Sequence, residues 1–591
     1  MTDYRPPIAE MRFIQDELAG LPELARLPGL EDATPDLADA ILEEAGKFSA
    51  EVLAPLNRRG DVEGCRLEGD RVHTPTGWKD AYAAFCAAGW NGITSPTHCG
   101  GQGLPDTLGI AVKEMVCAAN LSFSLAPLLT AGAVEALLTC ASDALKAVYL
   151  DKMVAGTWTG TMNLTEPQAG SDLALIRSRA EPQPDGSYRI FGQKIFITYG
   201  EHELAENIIH LVLARLPDAP PGVKGISLFL VPKYLPRPDG SPGERNDLRC
   251  VSLEHKLGIH ASPTCVMAYG DQGGAVGYLL GEANRGLEYM FVMMNAARLG
   301  VGLQGVALGE RAYQQAHAYA HERRQGRDAV SGEALVCIAR HPDVRRMLLL
   351  MQARVEACRA LTYYTANLLD QAHHLPEPGA RRTALYMAEF MIPLVKAGST
   401  EMAIDVTSLG IQIHGGMGFI EETGAAQHWR DARITTIYEG TTGIQANDLL
   451  FRKLLRDTGA TAKIFFKEIS QTIAQLKASP GPELPRLGQR LEKALGAWMQ
   501  ATEWLGTHLR EQLPAVLASA VPYLTLAVTV CGGWQMARSA LAATRHLDQG
   551  SPNPDFYRTR LQLAQIYATH QLPQAIGLLE TVVDGGRFVE G

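Results

Sequence analysis

Paired cysteines are missing from this 591-residue chain. Its 10 cysteines are scattered, with no C-x-x-C. That excludes zinc-type ligand spacing and a disulfide framework, and reads as reduced, buried thiols in a cytosolic protein. An excess of positive charge is missing too: 54 Lys and Arg face 64 Asp and Glu, a formal charge of −10. This speaks against the broad basic surface that nucleic acid needs, although a local basic pocket for one anionic ligand remains allowed. The stretch 460–591 is near neutral, with 12 basic and 10 acidic residues. There is no internal repeat and no low-complexity tract. The opening "MTDYRPPIAE" carries Asp3 and no apolar core, so it does not read as a signal peptide. One uncharged run, 513–537, is long enough to span a bilayer. Its Pro522, Gly532, Gly533 and several Ser and Thr favour a helix buried among helices, and leave peripheral membrane contact by 457–591 open.

What is present is an ordinary globular composition, 46% hydrophobic and 20% charged. At roughly 100–200 residues per domain the length suggests three or four domains. The pattern changes in blocks. From 36 to 156 apolar residues recur at three- and four-residue spacings, as in "DLADAILEEAGKFSAEVL". From 157 to 285 the segments are short, β-branched and aromatic, separated by Gly, Pro and Asp turns, which suggests an antiparallel sheet or small barrel. Long helical segments return at 287–322, 341–370 and 380–410, and further helices follow from 457. Blocks without alternation argue against a doubly wound fold. The expected class is α+β, mostly α: an N-terminal helical domain (1–156), a β-barrel-like middle domain (157–285), a C-terminal helical bundle (286–456) and an additional helical domain (457–591). "GVGLQG" at 300–305 matches G-x-G-x-x-G by letter. It sits inside one long helical pattern, so its glycines are read as close helix packing and not as a dinucleotide site.

Four stretches carry chemistry. "NLTEPQAGSD" (163–172) ends a strand in a turn of Thr, Gly and Ser, whose amides and hydroxyls suit a heterocycle's carbonyls or a phosphate, or simply a surface loop. "KIFITYG" (194–200) alternates, placing Phe196 and Thr198 on one face; they flank a flat cofactor or pack a core. "GIQIHGGMGFIEE" (410–422) ends a helix with more glycines than a helix stop needs. "TTIYEGTTGIQ" (435–445) isolates one carboxylate, Glu439, between an apolar run and a helix start capped by Thr441 or Thr442. Partial desolvation there would raise its pKa toward neutrality, as a general base for a weak carbon acid requires. The alternative is a carboxylate serving the helix N-terminus.

Together these motifs resemble the acyl-CoA dehydrogenase family over 36–456. "TEPQAGSD" is similar to its T-E-P-x-x-G-S-D loop, "KIFIT" to its K-x-[W/F]-I-[T/S] strand, "IQIHGGMGF" to its Q-x-x-G-G-x-G-[F/Y] element, and "RDARITTIYEGTTGIQ" to its R-D-x-[K/R]-x-x-x-I-[Y/F]-E-G-[T/S] signature. The resemblance implies a C-terminal four-helix bundle and an FAD enzyme that dehydrogenates an acyl-CoA thioester to the trans-2-enoyl-CoA. Glu439 would take the α-proton, the β-hydrogen would leave as hydride to flavin N5, and electrons would pass to electron-transfer flavoprotein. FAD would be held by Met162, Asn163, Leu164, Thr165, Gly170, Ser171, Phe196, Ile197, Thr198, Thr441 and Gly443. Arg323, Gln412, Ile413, Gly415 and Gly416 would reach it across a homodimer contact. Substrate would meet Ser171, Asn295, Arg298 and Gly440. No metal is expected. Departures are Phe196 for the commoner Trp, Gln325-Gly326-Arg327 for T-F-G, and Gly443 for a frequent Gln. Relatives that carry the base on an earlier helix would place it at Ala297, which cannot abstract a proton. The extension beyond 456 resembles long family members, including those acting on long acyl chains and on 3-methylthiopropionyl-CoA. An acyl-CoA oxidase, a DNA-binding relative and a nitroalkane-oxidase-like enzyme are the rival readings. The expected location is cytoplasmic, with peripheral membrane association open.

Overall fold

The structure, a computed structural model, describes residues 4–589. The chain forms two compact units. One contains Lys47–Leu104 and Ala119–Gly300; the other contains the residues up to Gly46, Pro105–Ala118 and those from Val301 onward.

The first unit holds the β structure. A short antiparallel hairpin pairs β1 (Arg66–Glu68) with β2 (Arg71–His73). The main sheet uses β3 (Trp158–Asn163), β4 (Arg179–Pro182), β5 (Tyr188–Thr198), β6 (Asn207–Arg215) and β7 (Ile226–Pro232). A second hairpin follows, β8 (Tyr234–Pro236) with β9 (Pro242–Arg245), before β10 (Leu248–Leu253), β11 (Thr264–Tyr269) and β12 (Ala275–Leu280) return to the sheet. The order is β10-β11-β5-β12-β7-β6-β3, and β4 pairs with both β5 and β6. The pairings β5–β12–β7–β6–β4 therefore close on themselves through Arg179 against Arg215, making a small barrel.

The antiparallel expectation fails at two places: β3 lies parallel to β6, from Trp158 beside Asn207 to Asn163 beside Val212, and β4 meets β6 in parallel where Arg179 stands beside Arg215. The chain leaves β3 and builds β4 and β5 before β6, so no tight hairpin forces reversal. Strands β6 and β7 read as near-continuous apolar runs because both faces are covered. Ile209, Leu211, Leu213, Leu228 and Leu230 face a core shared with the helix Leu121–Cys140 and with Met290 and Met293. Val212, Ala214, Phe229 and Val231 face the barrel interior. Period-two alternation thus feeds two cores from one strand.

The second unit is helical. Helices Pro342–His374 and Pro378–His414 pack together. Gly302 and Gly305 sit inside the helix Gly286–Glu322; a Cβ on them would lie 2.6 Å from Val395 Cγ1 and 2.4 Å from the Ser399 carbonyl oxygen. The G-x-G-x-x-G letters therefore mark helix packing. Asp370 caps the helix Asp106–Ala119 from outside, accepting from Asp106 N (2.7 Å), Thr107 N (2.9 Å) and Thr107 Oγ1 (2.6 Å). The run 513–537 is not one helix. It breaks at Ser519 between Leu513–Ala518 and Ala520–Asp548. The second of these is packed by Glu483–His508, Pro554–His570 and Gln574–Asp584. Two other helices, Leu121–Cys140 and Gly286–Glu322, are long and apolar enough to cross a membrane, and both are largely buried.

Candidate active site

In the β-containing unit, the loop after β3 is built around one buried carboxylate. Glu166 accepts from Lys194 Nζ (2.8 Å), Ser178 N (3.0 Å), Ser178 Oγ (2.7 Å), Arg177 N (2.7 Å) and Gln168 Nε2 (2.7 Å). Lys194 is fully buried and also donates to the Leu164 carbonyl at 3.0 Å. Burial pushes the Glu166 carboxyl up, but the ammonium and the other donors outweigh it and bring it to about 2. Burial brings the Lys194 ammonium down to about 8, against the pull of Glu166. Both groups are charged at pH 7. Ile195 N donates to the Thr165 carbonyl at 2.9 Å, so the loop is tied to β5 by backbone as well.

At Phe196 the strand bulges. Lys194 stands opposite Met267 and Ile197 opposite Cys265, leaving Ile195 and Phe196 against a single residue. Phe196 has φ +60° and is 58% exposed. A bulky side chain in the left-handed region costs roughly 1–2 kcal/mol. Phe196 and Thr198 do flank an inward Ile197, as alternation predicts. The bulge, however, places Lys194 and Ile197, three apart, both inside.

Of the other expected residues here, Thr165 and Leu164 are half-buried, and Gly170 and Ser171 are exposed, with open space where a Gly170 Cβ would lie. Asn163, Met162 and Ile197 point inward. The Asn163 side chain is engaged with Tyr269 Oη (2.7 Å) and His210 Nδ1 (3.3 Å). These three offer backbone rather than side chain. Asn295 is half-buried and Arg298 buried on the helix Gly286–Glu322. An exposed aromatic face beside Thr198, with hydroxyls and an uncrowded glycine on the neighbouring loop, suits a flat heterocycle bearing polar edges. The donor set therefore fits a flavin.

In the helical unit Glu439 occupies a left-handed corner. Its φ is +54° and that of Gly440 is +90°. The helix Ala425–Thr435 ends just before this corner, and Thr442–Asp448 begins just after it with Thr441 Oγ1 accepting from Ile444 N at 3.3 Å. Two buried side chains hold the corner from below. Lys396 Nζ donates to the Thr435 carbonyl (2.8 Å) and the Gly440 carbonyl (2.7 Å), while Gln445 Nε2 donates to the carbonyls of Glu439 (3.1 Å) and Gly440 (3.3 Å). Tyr438 Oη donates to Gln304 Oε1. Charge-assisted bonds to carbonyls contribute about 1.5–3 kcal/mol each, enough to hold a non-glycine residue at positive φ. The Glu439 side chain is half-buried. The apolar flank of the motif turned out mixed: Thr435 is buried and Ile437 exposed.

Gln412, Gly415 and Gly416 are exposed at the end of helix Pro378–His414, whereas the Ile413 side chain lies in the core. Arg323 is exposed just past Glu322. These two helix ends lie side by side, with Tyr319 stacked on His414 at 4.4 Å. Gly443, half-buried, has room around it. Sequence reading missed Glu166, Lys194, Lys396 and Gln445 as structural partners. The available signals were the Glu of "TEPQAGSD" and the Lys of "KIFIT", fixed letters of two motifs, and a lone Lys within "MIPLVKAG".

Three family models describing the acyl-CoA dehydrogenase N-terminal, middle and C-terminal domains match residues 35–157, 161–271 and 284–454, and an acetyl-CoA dehydrogenase C-terminal-like model matches 465–589. The chain is 51% identical to the 3-methylmercaptopropionyl-CoA dehydrogenase of Ruegeria pomeroyi, over 99% of this chain and 98% of that one. It is 35% identical to a butyryl-CoA dehydrogenase of Syntrophomonas wolfei, over 93% and 91%. An acyl-CoA dehydrogenase of Bacillus anthracis, solved with FAD, shares the fold at TM-score 0.75 and 20% identity, covering 98% of this chain and 92% of that one. The chain is a member of the acyl-CoA dehydrogenase family of FAD-dependent oxidoreductases.

Proposed function

We propose that this protein dehydrogenates a short acyl-CoA thioester across Cα–Cβ, with Glu439 as the base that removes the α-proton. The observation that carries this reading is the corner at 439–440. A carboxylate is held at positive φ by two buried donors, next to a glycine whose missing Cβ makes room for Gln445 Nε2, 2.7 Å from where it would stand. Backbone strain of this kind is kept where a side chain must be aimed. The Glu439 carboxylate takes the α-proton, and its own backbone N–H, as the resemblance implies, donates to the thioester oxygen as negative charge develops there. FAD, when bound, supplies the acceptor for the β-hydrogen. Phe196 and Thr198 would hold its ring system, and Thr165 and Ser171 would donate to its polar edge, as the resemblance implies. Electrons leave to electron-transfer flavoprotein. In a homodimer Arg323, Gln412 and the 415–416 backbone serve the cofactor of the second copy.

The substrate class rests on the relatives named for a three-carbon thioether acid and for butyrate; a short chain with or without sulfur at the γ position is expected. The test is anaerobic flavin bleaching with butyryl-CoA and 3-methylthiopropionyl-CoA. Glu439→Gln should retain FAD and bleach slower by about 10³-fold or more. Bleaching by Glu439→Gln at close to the wild-type rate would refute the assignment.

A further inference from the structure

We infer that Lys396 is a positioning residue for proton abstraction. It acts through the backbone carbonyls of Thr435 and Gly440. This rests on the reading of Glu439 as the base, and adds what sets that base in place. Lys396 comes from the middle of helix Pro378–His414, 44 residues before Gly440, and is fully buried. Its ammonium bridges two carbonyls, that of Thr435, at the end of one helix, and that of Gly440, just before the next begins. Those two points bracket Glu439. Fixing them fixes the chord across which the corner turns, and with it the direction of the Glu439 Cα–Cβ bond and of the Glu439 amide.

Gln445 cannot do this alone. It binds the Glu439 and Gly440 carbonyls but does not reach the preceding helix. Thr442 N, donating to the Thr436 carbonyl at 3.2 Å, closes the turn along the chain but carries no charge. The ammonium draws both helix ends to a single point. Its charge suits the end of Ala425–Thr435, where helix carbonyls point outward. A residue at positive φ relaxes toward the ordinary region once such restraints go. The carboxylate would then swing off its line to the substrate.

The experiment compares Lys396→Met, which keeps the stem and removes the cation, and Lys396→Gln, which keeps one donor. Both are measured as FAD-loaded enzyme by stopped-flow bleaching with butyryl-CoA, and by hydrogen exchange of the 435–445 segment in FAD-free protein. For Lys396→Met the expected result is bleaching slower by about 100-fold, substrate affinity and FAD content within threefold of wild type, and exchange in 435–445 faster by about tenfold. Lys396→Gln should fall between. In Glu439→Gln, adding Lys396→Met should slow bleaching no further, because both act on one step. Wild-type bleaching and exchange in Lys396→Met would overturn the inference while leaving Glu439 standing. Loss of the folded state in both variants would make Lys396 a folding residue and overturn it too. Wild-type bleaching in Glu439→Gln would instead remove the reading beneath it.

Discussion

Replacing Lys194 by methionine strands the Glu166 carboxylate without its cation. The magnitude follows from the two pKa displacements. Moving the Glu166 carboxyl from 4.5 to about 2 corresponds to about 3 kcal/mol in favour of its charged form. Moving the Lys194 ammonium from 10.5 to about 8 corresponds to about 3 kcal/mol against its charged form. Both displacements contain the same Lys194–Glu166 attraction, so removing one partner leaves the other with its burial penalty alone. Losing one partner of a buried pair costs about 3–5 kcal/mol. Lys194→Met should lower the Tm of the β-containing unit by about 6–10 °C at pH 7. It should also weaken FAD binding by about tenfold or more, because the loop 164–171 loses both the Leu164 and Glu166 tethers. The double variant Glu166→Gln, Lys194→Met should recover at least about 1 kcal/mol of the loss, since no buried charge then lacks its partner. The pH signs differ for the two groups. The Glu166 contribution is complete above 4.5 and disappears as pH falls through about 2; the Lys194 penalty is complete below about 8 and fades as pH rises to 10.5. Thermal melts and FAD titration of the apoprotein measure both effects. A Lys194→Met protein melting within 2 °C of wild type with unchanged FAD affinity would refute the reasoning.

Phe196 offers a comparison free of that charge. Phe196→Gly should be more stable than Phe196→Ala by about 1 kcal/mol, because glycine adopts φ +60° without cost, and both should bind FAD more weakly; equal stability of the two would show that the corner is not strained. His260 Nδ1 lies 2.9 Å from Asp61 Oδ1, and this hydrogen bond, opposed by burial and helped by the Asp61 charge, raises the imidazole pKa above 6.5. Its stabilisation is complete below 6.5 and is lost as pH rises through the elevated value. The Tm gap between wild type and His260→Gln should therefore narrow from pH 5.5 to 8.5; a gap independent of pH would contradict the pairing.

Local pattern determined much of this protein. The expected helices at 287–322, 341–370 and 380–410 are found as Gly286–Glu322, Pro342–His374 and Pro378–His414, because a 3.6-residue apolar period is satisfied within a few turns of chain. The motif around Glu439 was legible because a lone carboxylate between an apolar run and a helix cap is a short-range arrangement. Tertiary structure decided the rest. That β3 would lie parallel to β6, that the barrel would close through β4, and that 513–537 would break at Ser519 depend on surfaces brought together from far along the chain. So do the partners of the buried charges: Lys194 finds Glu166 across 28 residues and Lys396 finds Gly440 across 44. No local rule names those partners, because desolvation makes a charge seek one only after the fold has excluded water. The positive φ at Phe196 and Glu439 has the same origin. The sequence places an aromatic ring and a carboxylate; only the surrounding hydrogen bonds hold their backbone where neither residue would stay by itself.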